Sequence, residues 1–103
     1  MAREQLQTLT EPMYYILLSL QEESCGVDIM RQVEEISHGR IRVGAGTLYG
    51  LLDKFLTAEL IEETKVEGRK RSYLITTKGK AMLRQEYERL RIMMQDGEPY
   101  MKS

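Results

Sequence analysis

Residues 61–75 have the sequence IEETKVEGRKRSYLI, and this stretch predicts a β-hairpin. Its two ends, residues 61–66 and 71–75, are rich in residue types that favour strands. The four residues between them, 67–70, include Gly68, which suits the tight connection of a hairpin. We therefore expect two antiparallel strands joined by a short charged turn.

The predicted hairpin lies in the most basic part of the chain. Residues 65–80 contain six basic side chains and one acidic side chain. The cations around the predicted tip are Lys65, Arg69, Lys70 and Arg71. Such a tip can bind a phosphate backbone or enter a minor groove, but it can also be a solvated turn that keeps an edge strand from pairing. The elements before the hairpin favour the first interpretation.

Two amphipathic helices are predicted before the hairpin. Apolar residues recur at helical spacing over about residues 26–37, where His38-Gly39 ends the pattern, and again over about residues 45–58. Residues 40–43 alternate charged and β-branched side chains, which favours a short extended link. Such a pair can form a helix-turn-helix, or it can be a simple packing unit. A basic hairpin directly after the pair favours a winged helix that binds DNA.

A first helix precedes this pair. Thr10 can cap its free backbone N–H groups, and the apolar spacing extends the helix from about Pro12 to about Glu22. Residues 24–26 then break the pattern. The order helix, helix, helix, hairpin, helix predicts a mainly α fold with a small β-hairpin, in a single domain spanning residues 1–103.

The last helix carries more apolar surface than one small domain can cover. It is expected to end near Met94, because residues 96–99 contain a glycine and a proline. Its seam has the 4-3-4 spacing of a coiled coil and consists of Leu83, Tyr87, Leu90 and Met94. Met82, Ile92 and Met93 lie off that seam, so a second copy of the chain is the expected cover. The alternative is one-sided packing onto the core with the methionines exposed.

Composition and charge exclude several classes of protein. The net charge is −1, but the acidic side chains are concentrated before residue 38 and the basic ones in residues 38–80. No apolar run approaches the roughly 20 residues of a membrane span, and no secretory pattern opens the chain. The single cysteine, Cys25, favours a reducing cytoplasm. Catalytic, phosphate-binding, dinucleotide-binding and metal-ligand motifs are missing, so we expect no enzyme, metal or cofactor.

Four segments of the sequence match a known pattern. The first consists of Gly46-Thr47-Leu48-Tyr49, Leu52, Phe55 and Leu60-Ile61. The other three, residues 9–18, 26–29 and 73–79, agree with it in order and spacing. Together they resemble the PadR-like family of winged-helix transcriptional regulators, in the short form with one C-terminal helix. The resemblance covers about residues 9–94.

The resemblance implies a homodimer built through the last helix and the first, which adds Met13 and Leu17 to the predicted interface. Proteins of this family usually repress transcription and often leave DNA when a small molecule binds. By position, Thr47 and Tyr49 would face DNA at the start of the third helix, and residues 69–71 would lie on the wing.

The chain departs from the family pattern at two positions. Glu59 stands where the family often has glycine, so either its φ is positive, at a cost on the order of 1 kcal/mol, or the turn differs. Gly50 stands where many relatives carry proline or a larger residue. The lack of tryptophan excludes an indole-lined drug pocket, whereas a ligand site lined by tyrosine or methionine stays open. One ring of the Tyr14-Tyr15 pair is expected in the core, and the other at a dimer interface or small ligand.

These observations predict a homodimeric transcriptional repressor that binds double-stranded DNA at a palindromic operator. The winged helix would span about residues 9–76, and the dimerisation helix about residues 77–95. The predicted DNA contacts are Arg40, Arg42, Ala45, Gly46, Thr47, Tyr49, Lys54, Lys65, Arg69, Lys70 and Arg71. A small-molecule effector is a further possible partner. The alternative function is a protein–protein adaptor without sequence-specific DNA binding.

Overall fold

The computed structural model describes residues 8–102, which form four α-helices and a three-stranded antiparallel sheet. In chain order the elements are α1 (Glu11–Ser19), β1 (Ser24–Cys25), α2 (Gly26–Ile36), α3 (Ala45–Thr57), β2 (Ile61–Glu67), β3 (Lys70–Ile75) and α4 (Thr77–Met101). The predicted helices and hairpin are confirmed in their order, and with them the winged-helix fold. Residues 1–7 and 103, which the predicted domain includes, lie outside the described part.

α1 is shorter than the sequence predicts. Its start is capped as expected, because the hydroxyl of Thr10 accepts a backbone N–H from the first turn at 3.4 Å. The helix ends at Ser19 rather than near Glu22. The carbonyl of Leu20 instead accepts the N–H of Ile75 at 2.9 Å, so this part of the chain is joined to the sheet.

β1 is absent from the sequence-based prediction. It pairs antiparallel with β3, with Ser24 opposite Tyr73 and Cys25 opposite Ser72. The strand order is β1-β3-β2, which makes β3 the central strand. A strand of two residues is too short to show the alternation of polar and apolar side chains that predicts strands.

β2 and β3 form the predicted hairpin, which we call the wing (residues 61–75). The connecting turn has two residues, Gly68 and Arg69, instead of the predicted four. Gly68 has a φ of 63°, which glycine adopts without strain. A bulge between Glu63 and Lys65 interrupts the register of the outer strand β2.

α2 and α3 form the predicted helix-turn-helix. After α2, His38 and Gly39 take left-handed φ values of 56° and 81° and reverse the chain. Residues 40–43 then cross to α3 without joining the sheet. The hydroxyl of Ser37 holds this crossing by accepting the N–H of Ile41 at 3.0 Å.

The core lies where α1, α2 and α3 meet the sheet. Its largest fully buried apolar side chains are Ile16, Leu17, Leu20, Ile29, Val33, Leu48, Leu52 and Phe55. The last three lie on one side of α3, so their burial determines which side of α3 faces solvent.

α4 divides into two segments that differ in burial. The proximal segment, residues 77–86, contacts α1 and β3 and contains all the buried residues of the helix. Its N-cap is Thr76, whose hydroxyl accepts the N–H of Gly79 at 3.0 Å and donates to the carbonyl of Glu59 at 2.8 Å. The distal segment, residues 87–101, is largely exposed along its whole length.

The predicted end of α4 is wrong. The helix continues to Met101, about two turns beyond Met94. Gly97 and Pro99, expected to stop it, lie within the helix. Both residue types weaken a helix without forbidding it, and Pro99 lies in the last turn, so that only two helical residues follow it. Neither α4 nor any other helix of residues 8–102 has the length and apolar character needed to traverse a bilayer.

Candidate nucleic-acid interface

The solvent-exposed side of α3 is the centre of the candidate interface. We call it the outer face of α3, and it consists of Gly46, Thr47, Tyr49, Gly50, Asp53 and Lys54. Helical geometry places these side chains opposite the buried Leu48, Leu52 and Phe55. A helix anchored in this way presents a rigid surface that can enter a major groove.

The N-terminus of α3 is open and has little side-chain bulk. Its cap residue is Gly44, and no side chain bonds to the free N–H groups of the first turn within the described residues. A β-carbon at Gly44, Gly46 or Gly50 would meet no atom within 4 Å, so packing within the protomer does not require glycine there. Exposed N–H groups at a helix start can bind phosphate, and small side chains allow close approach.

Tyr49 is held in place by α2. Its hydroxyl lies so close to Gly26, the first residue of α2, that a β-carbon at Gly26 would collide with it. The ring is nevertheless 44% exposed. Tyr49, predicted from the sequence to contact DNA, therefore lies on the outer face with its ring fixed against the neighbouring helix.

Three of the predicted cations are tied to carboxylates. Arg40 donates to Glu11 at 2.7 Å, and Arg71 donates to Glu63 at 2.9 Å. Arg42 forms a similar ion pair with Glu34 at 3.2 Å. The hydrogen bond to Glu11 raises the pKa of Arg40, and a second one to the hydroxyl of Tyr15 adds to this effect. All three pairs are exposed, so each contributes little to stability and can open when phosphate arrives.

The remaining predicted cations have no ionic partner within residues 8–102. They are Lys54, Lys65, Arg69 and Lys70. All four are exposed, and three of them belong to the wing. Within the described part, the wing tip therefore carries cations that are ready to pair with an anion.

The base of the wing adjoins the outer face of α3. Burial raises the pKa of Tyr73 on β3, and the nearby charges of Glu63 and Tyr49 act in the same direction. The pKa of Arg71 is raised first by its bond to Glu63, with a smaller contribution from Asp53. The structure thus brings Tyr49 and the wing residue Arg71 into one region, as the winged-helix prediction requires.

The wing also approaches the first turn of α2. Hydrogen bonds from Arg31 and Cys25 lower the pKa of Asp28, and the positive charge of Lys70 contributes. Cys25 itself is buried, and its thiol lies 3.5 Å from the carboxylate of Asp28. Residues 8–102 contain no group of three or more side chains able to hold a metal ion.

Asp53 is the feature of this surface that the sequence-based list of contacts omits. It is exposed on α3, seven residues after Gly46 and therefore on the same side of the helix. The spacing was visible in the sequence, but carboxylates on helix faces are usually just solvated. Only the burial of the opposite side shows that Asp53 shares a face with the predicted contacts.

Half of the predicted dimer residues belong instead to the core of the protomer. Met13, Leu17 and Leu83 are 4%, 0% and 6% exposed, so they have almost no surface to offer a partner. The structure places all three in the core of the protomer, although the resemblance had suggested Met13 and Leu17, and the coiled-coil spacing Leu83, for the interface.

The other predicted dimer residues are exposed in the protomer. Tyr87, Leu90 and Met94 lie on the distal segment of α4 and are 55%, 42% and 68% exposed. Tyr14 and Tyr15 on α1 are both half-buried and pack edge to face, with ring centroids 5.8 Å apart. The expected division of the two tyrosines between core and surface is therefore wrong.

Several solved structures resemble the chain. A transcriptional regulator from Clostridium thermocellum is 18% identical with a TM-score of 0.74, and the match covers 89% of this chain and 92% of that one. A PadR-like transcription factor from Bacteroides fragilis is 23% identical with a TM-score of 0.70, over 87% of each chain. RosR of H. salinarum is 25% identical with a TM-score of 0.64, over 90% of this chain and 96% of that one.

The sequence also matches a family. No curated protein matches it significantly. The transcriptional regulator PadR-like family, however, matches residues 16–85, from the middle of α1 through the wing and into the proximal segment of α4. This span contains the whole helix-turn-helix and more than half of the chain, so the protein belongs to the PadR-like family of transcriptional regulators.

Proposed function

We propose that this regulator binds double-stranded DNA through α3 and the wing, as a homodimer at a palindromic operator, and represses transcription. The observation that carries the proposal is the open, glycine-rich N-terminus of α3 beside a wing in which Lys65, Arg69 and Lys70 have no ionic partner in residues 8–102. A helix start of this kind suits base edges and phosphates, and unpaired cations suit the DNA backbone.

In the proposed complex each α3 enters a major groove with its N-terminus leading. Thr47 and Tyr49 are the polar side chains of its first turns, and they contact base edges or the adjacent phosphate. Arg69 and Lys70 contact the flanking backbone. Two half-sites about one helical turn apart would match the two-fold symmetry of a dimer.

The proposed dimer uses the distal segment of α4. Tyr87, Leu90 and Met94 follow the coiled-coil spacing, which Met101 continues seven residues after Met94, with Gly97 at the seam position between them. A surface of this kind on a small protein typically marks a protein–protein contact. The second copy supplies an identical stripe, as a two-fold interface requires.

The regulatory part of the proposal rests on family membership. Members of such a family act on transcription, and we propose repression in the cytoplasm, with release from DNA by a small-molecule effector. We assign the chain no catalytic activity.

A binding assay with DNA from the protein's own promoter region tests the proposal. We expect retardation at physiological salt and a linear fall of log affinity with log salt. Replacing Arg69 and Lys70 together by alanine should reduce the salt slope by about two, since two phosphate contacts are lost. The matched control is Lys102→Ala, which removes an exposed cation at the far end of α4 and should leave the slope unchanged.

Two outcomes would contradict the proposal. An unchanged salt slope in the double variant would remove the wing from the interface. If no genomic fragment were retarded, DNA binding itself would be wrong, and the adaptor function would become the better explanation.

A further inference from the structure

Asp53 is the single carboxylate of α3. It lies on a stripe whose other positions are glycines, which have no side chain. Gly46, Gly50 and Asp53 are spaced by four and three residues, so they follow one another along the outer face. The two glycines face open space. Along this stripe Asp53 is therefore the first side chain able to form a hydrogen bond.

Within residues 8–102, Asp53 has no hydrogen-bond or ionic partner on its side chain. The charge of Asp53 contributes to the raised pKa of Arg71, but that guanidinium is already bonded to Glu63 at 2.9 Å. The carboxylate of Asp53 is thus exposed and available on the surface that the proposed function turns towards DNA.

A free carboxylate is unfavourable against DNA unless it meets a donor. Phosphates repel it, and most major-groove edges present acceptors to it. The donors in that groove are the amino groups of cytosine and adenine, and adenine places its N7 acceptor directly beside its amino group. Cytosine is therefore the base whose edge suits a carboxylate best.

We propose that Asp53 is a specificity-determining residue that selects one cytosine in each half-site by accepting a hydrogen bond from its exocyclic amino group. The same charge weakens binding to duplexes that lack cytosine at that position, so selectivity comes from repulsion as well as attraction. Gly46 and Gly50 contribute because they have no side chains, so the helix can approach the DNA closely enough for its third turn to reach the groove. This inference rests on the proposed DNA-binding function.

Selection from a library of random DNA duplexes tests the inference. Sites enriched by the wild-type protein should share a cytosine at one symmetric position in each half-site. Asp53→Ala should lose roughly tenfold discrimination at that position alone, because one base contact is removed. Asp53→Asn should move the preference towards adenine, whose N6 and N7 suit an amide.

The matched control is Glu62→Gln, which removes an exposed carboxylate from the wing strand β2. Glu62→Gln and Asp53→Ala should both raise the affinity for non-specific duplex severalfold, because each removes a negative charge. Glu62→Gln should leave every base preference unchanged. Asp53 is exposed, so both variants should keep the wild-type circular dichroism spectrum.

The selection experiment distinguishes a failure of this inference from a failure of the proposed DNA-binding function. If the wild-type protein enriches defined sites and both Asp53 variants enrich the same sites, Asp53 does not select a base and the inference is overturned alone. If the wild-type protein enriches nothing, the proposed function and the inference are both overturned.

Discussion

The two segments of α4 belong to one continuous helix and lie in opposite environments. In the proximal segment, Gly79, Leu83 and Glu86 are buried against the rest of the chain. The distal segment carries most of the exposed large apolar residues found in residues 8–102. One part of the helix therefore completes the core of the protomer, whereas the other has an apolar stripe without a partner in its own chain.

The same contrast appears in two ion pairs with identical spacing. Glu86–Arg89 and Glu88–Arg91 are both separated by three residues, and both close at about 2.9 Å or less. The side chain of Glu86 is 3% exposed and also accepts the backbone N–H of Leu9 at 3.2 Å. The side chain of Glu88 is 48% exposed. The local sequence around the two pairs is nearly the same, so the packing around each pair determines how much it contributes to the free energy of unfolding.

The largest expected effect is in the proximal segment. Leu83→Asp places a charge in the core, and we expect it to abolish cooperative unfolding or to lower the free energy of unfolding by about 4 kcal/mol or more. Urea denaturation followed by circular dichroism measures this. A variant that unfolds like the wild type would contradict the burial of Leu83 in the core of the protomer.

The corresponding change in the distal segment should separate the subunits and spare the fold. Leu90→Asp puts a carboxylate opposite its symmetry mate, and association should weaken about a hundredfold or more. Light scattering should then report a monomer whose helical signal is retained. The matched control is Gln95→Asp, which adds the same charge at an exposed polar position off the seam and should leave the dimer mass unchanged.

Two results would break this comparison. A dimer of unchanged mass in Leu90→Asp would remove the distal segment from the interface. A Leu90→Asp chain that is unfolded as well as monomeric would show that the protomer cannot fold without its partner, so that the two segments would not be separable.

The third prediction concerns Glu86 and Glu88. Glu86→Gln should lower the free energy of unfolding by about 1–3 kcal/mol, because it weakens a buried, charge-assisted contact. Glu88→Gln, its exposed counterpart, should leave the free energy of unfolding almost unchanged. Thermal and urea denaturation of the two variants measure the difference. Equal effects would mean that burial does not distinguish the pairs.

Glu86 should also make stability depend on pH. The bonds from Arg89 and Leu9 lower the pKa of Glu86 below its ordinary value of 4.5, so the folded chain binds fewer protons there than the unfolded chain. This contribution is fully present above pH 4.5 and is lost as the pH falls through the lower folded pKa. The difference between wild type and Glu86→Gln should therefore shrink on acidification.

The sequence predicts the element order of this fold well, because each helix has an apolar stripe of sufficient length and the wing has a glycine turn. It does not reveal β1, since two residues carry no periodicity. It also assigns Leu83 to the same seam as Leu90, because spacing identifies an apolar side chain without showing which chain covers it. For Asp53, the residue type alone indicates a solvated charge, and only packing of the opposite side places it on the outer face.

The smallest expected effect concerns the junction that holds the proximal segment. Glu59 has a φ of 64°, which is the first of the two alternatives that the sequence leaves open, and its carbonyl accepts the hydroxyl of Thr76, the cap of α4. A left-handed non-glycine residue is strained, so Glu59→Gly should raise the free energy of unfolding by about 0.5–1 kcal/mol, after allowance for the greater freedom of glycine in the unfolded chain. Glu59→Ala keeps the β-carbon and should give no such gain.

Measuring Glu59→Gly both in the dimer and in the Leu90→Asp monomer tests whether the two segments of α4 are independent. In the Leu90→Asp monomer, unfolding is no longer linked to subunit concentration, so a gain there belongs to the protomer. We expect the same gain in the monomer as in the dimer, because Glu59 and Thr76 contact the proximal segment alone. A gain confined to the dimer would show that strain at this junction is coupled to the distal segment, and that α4 acts as one unit.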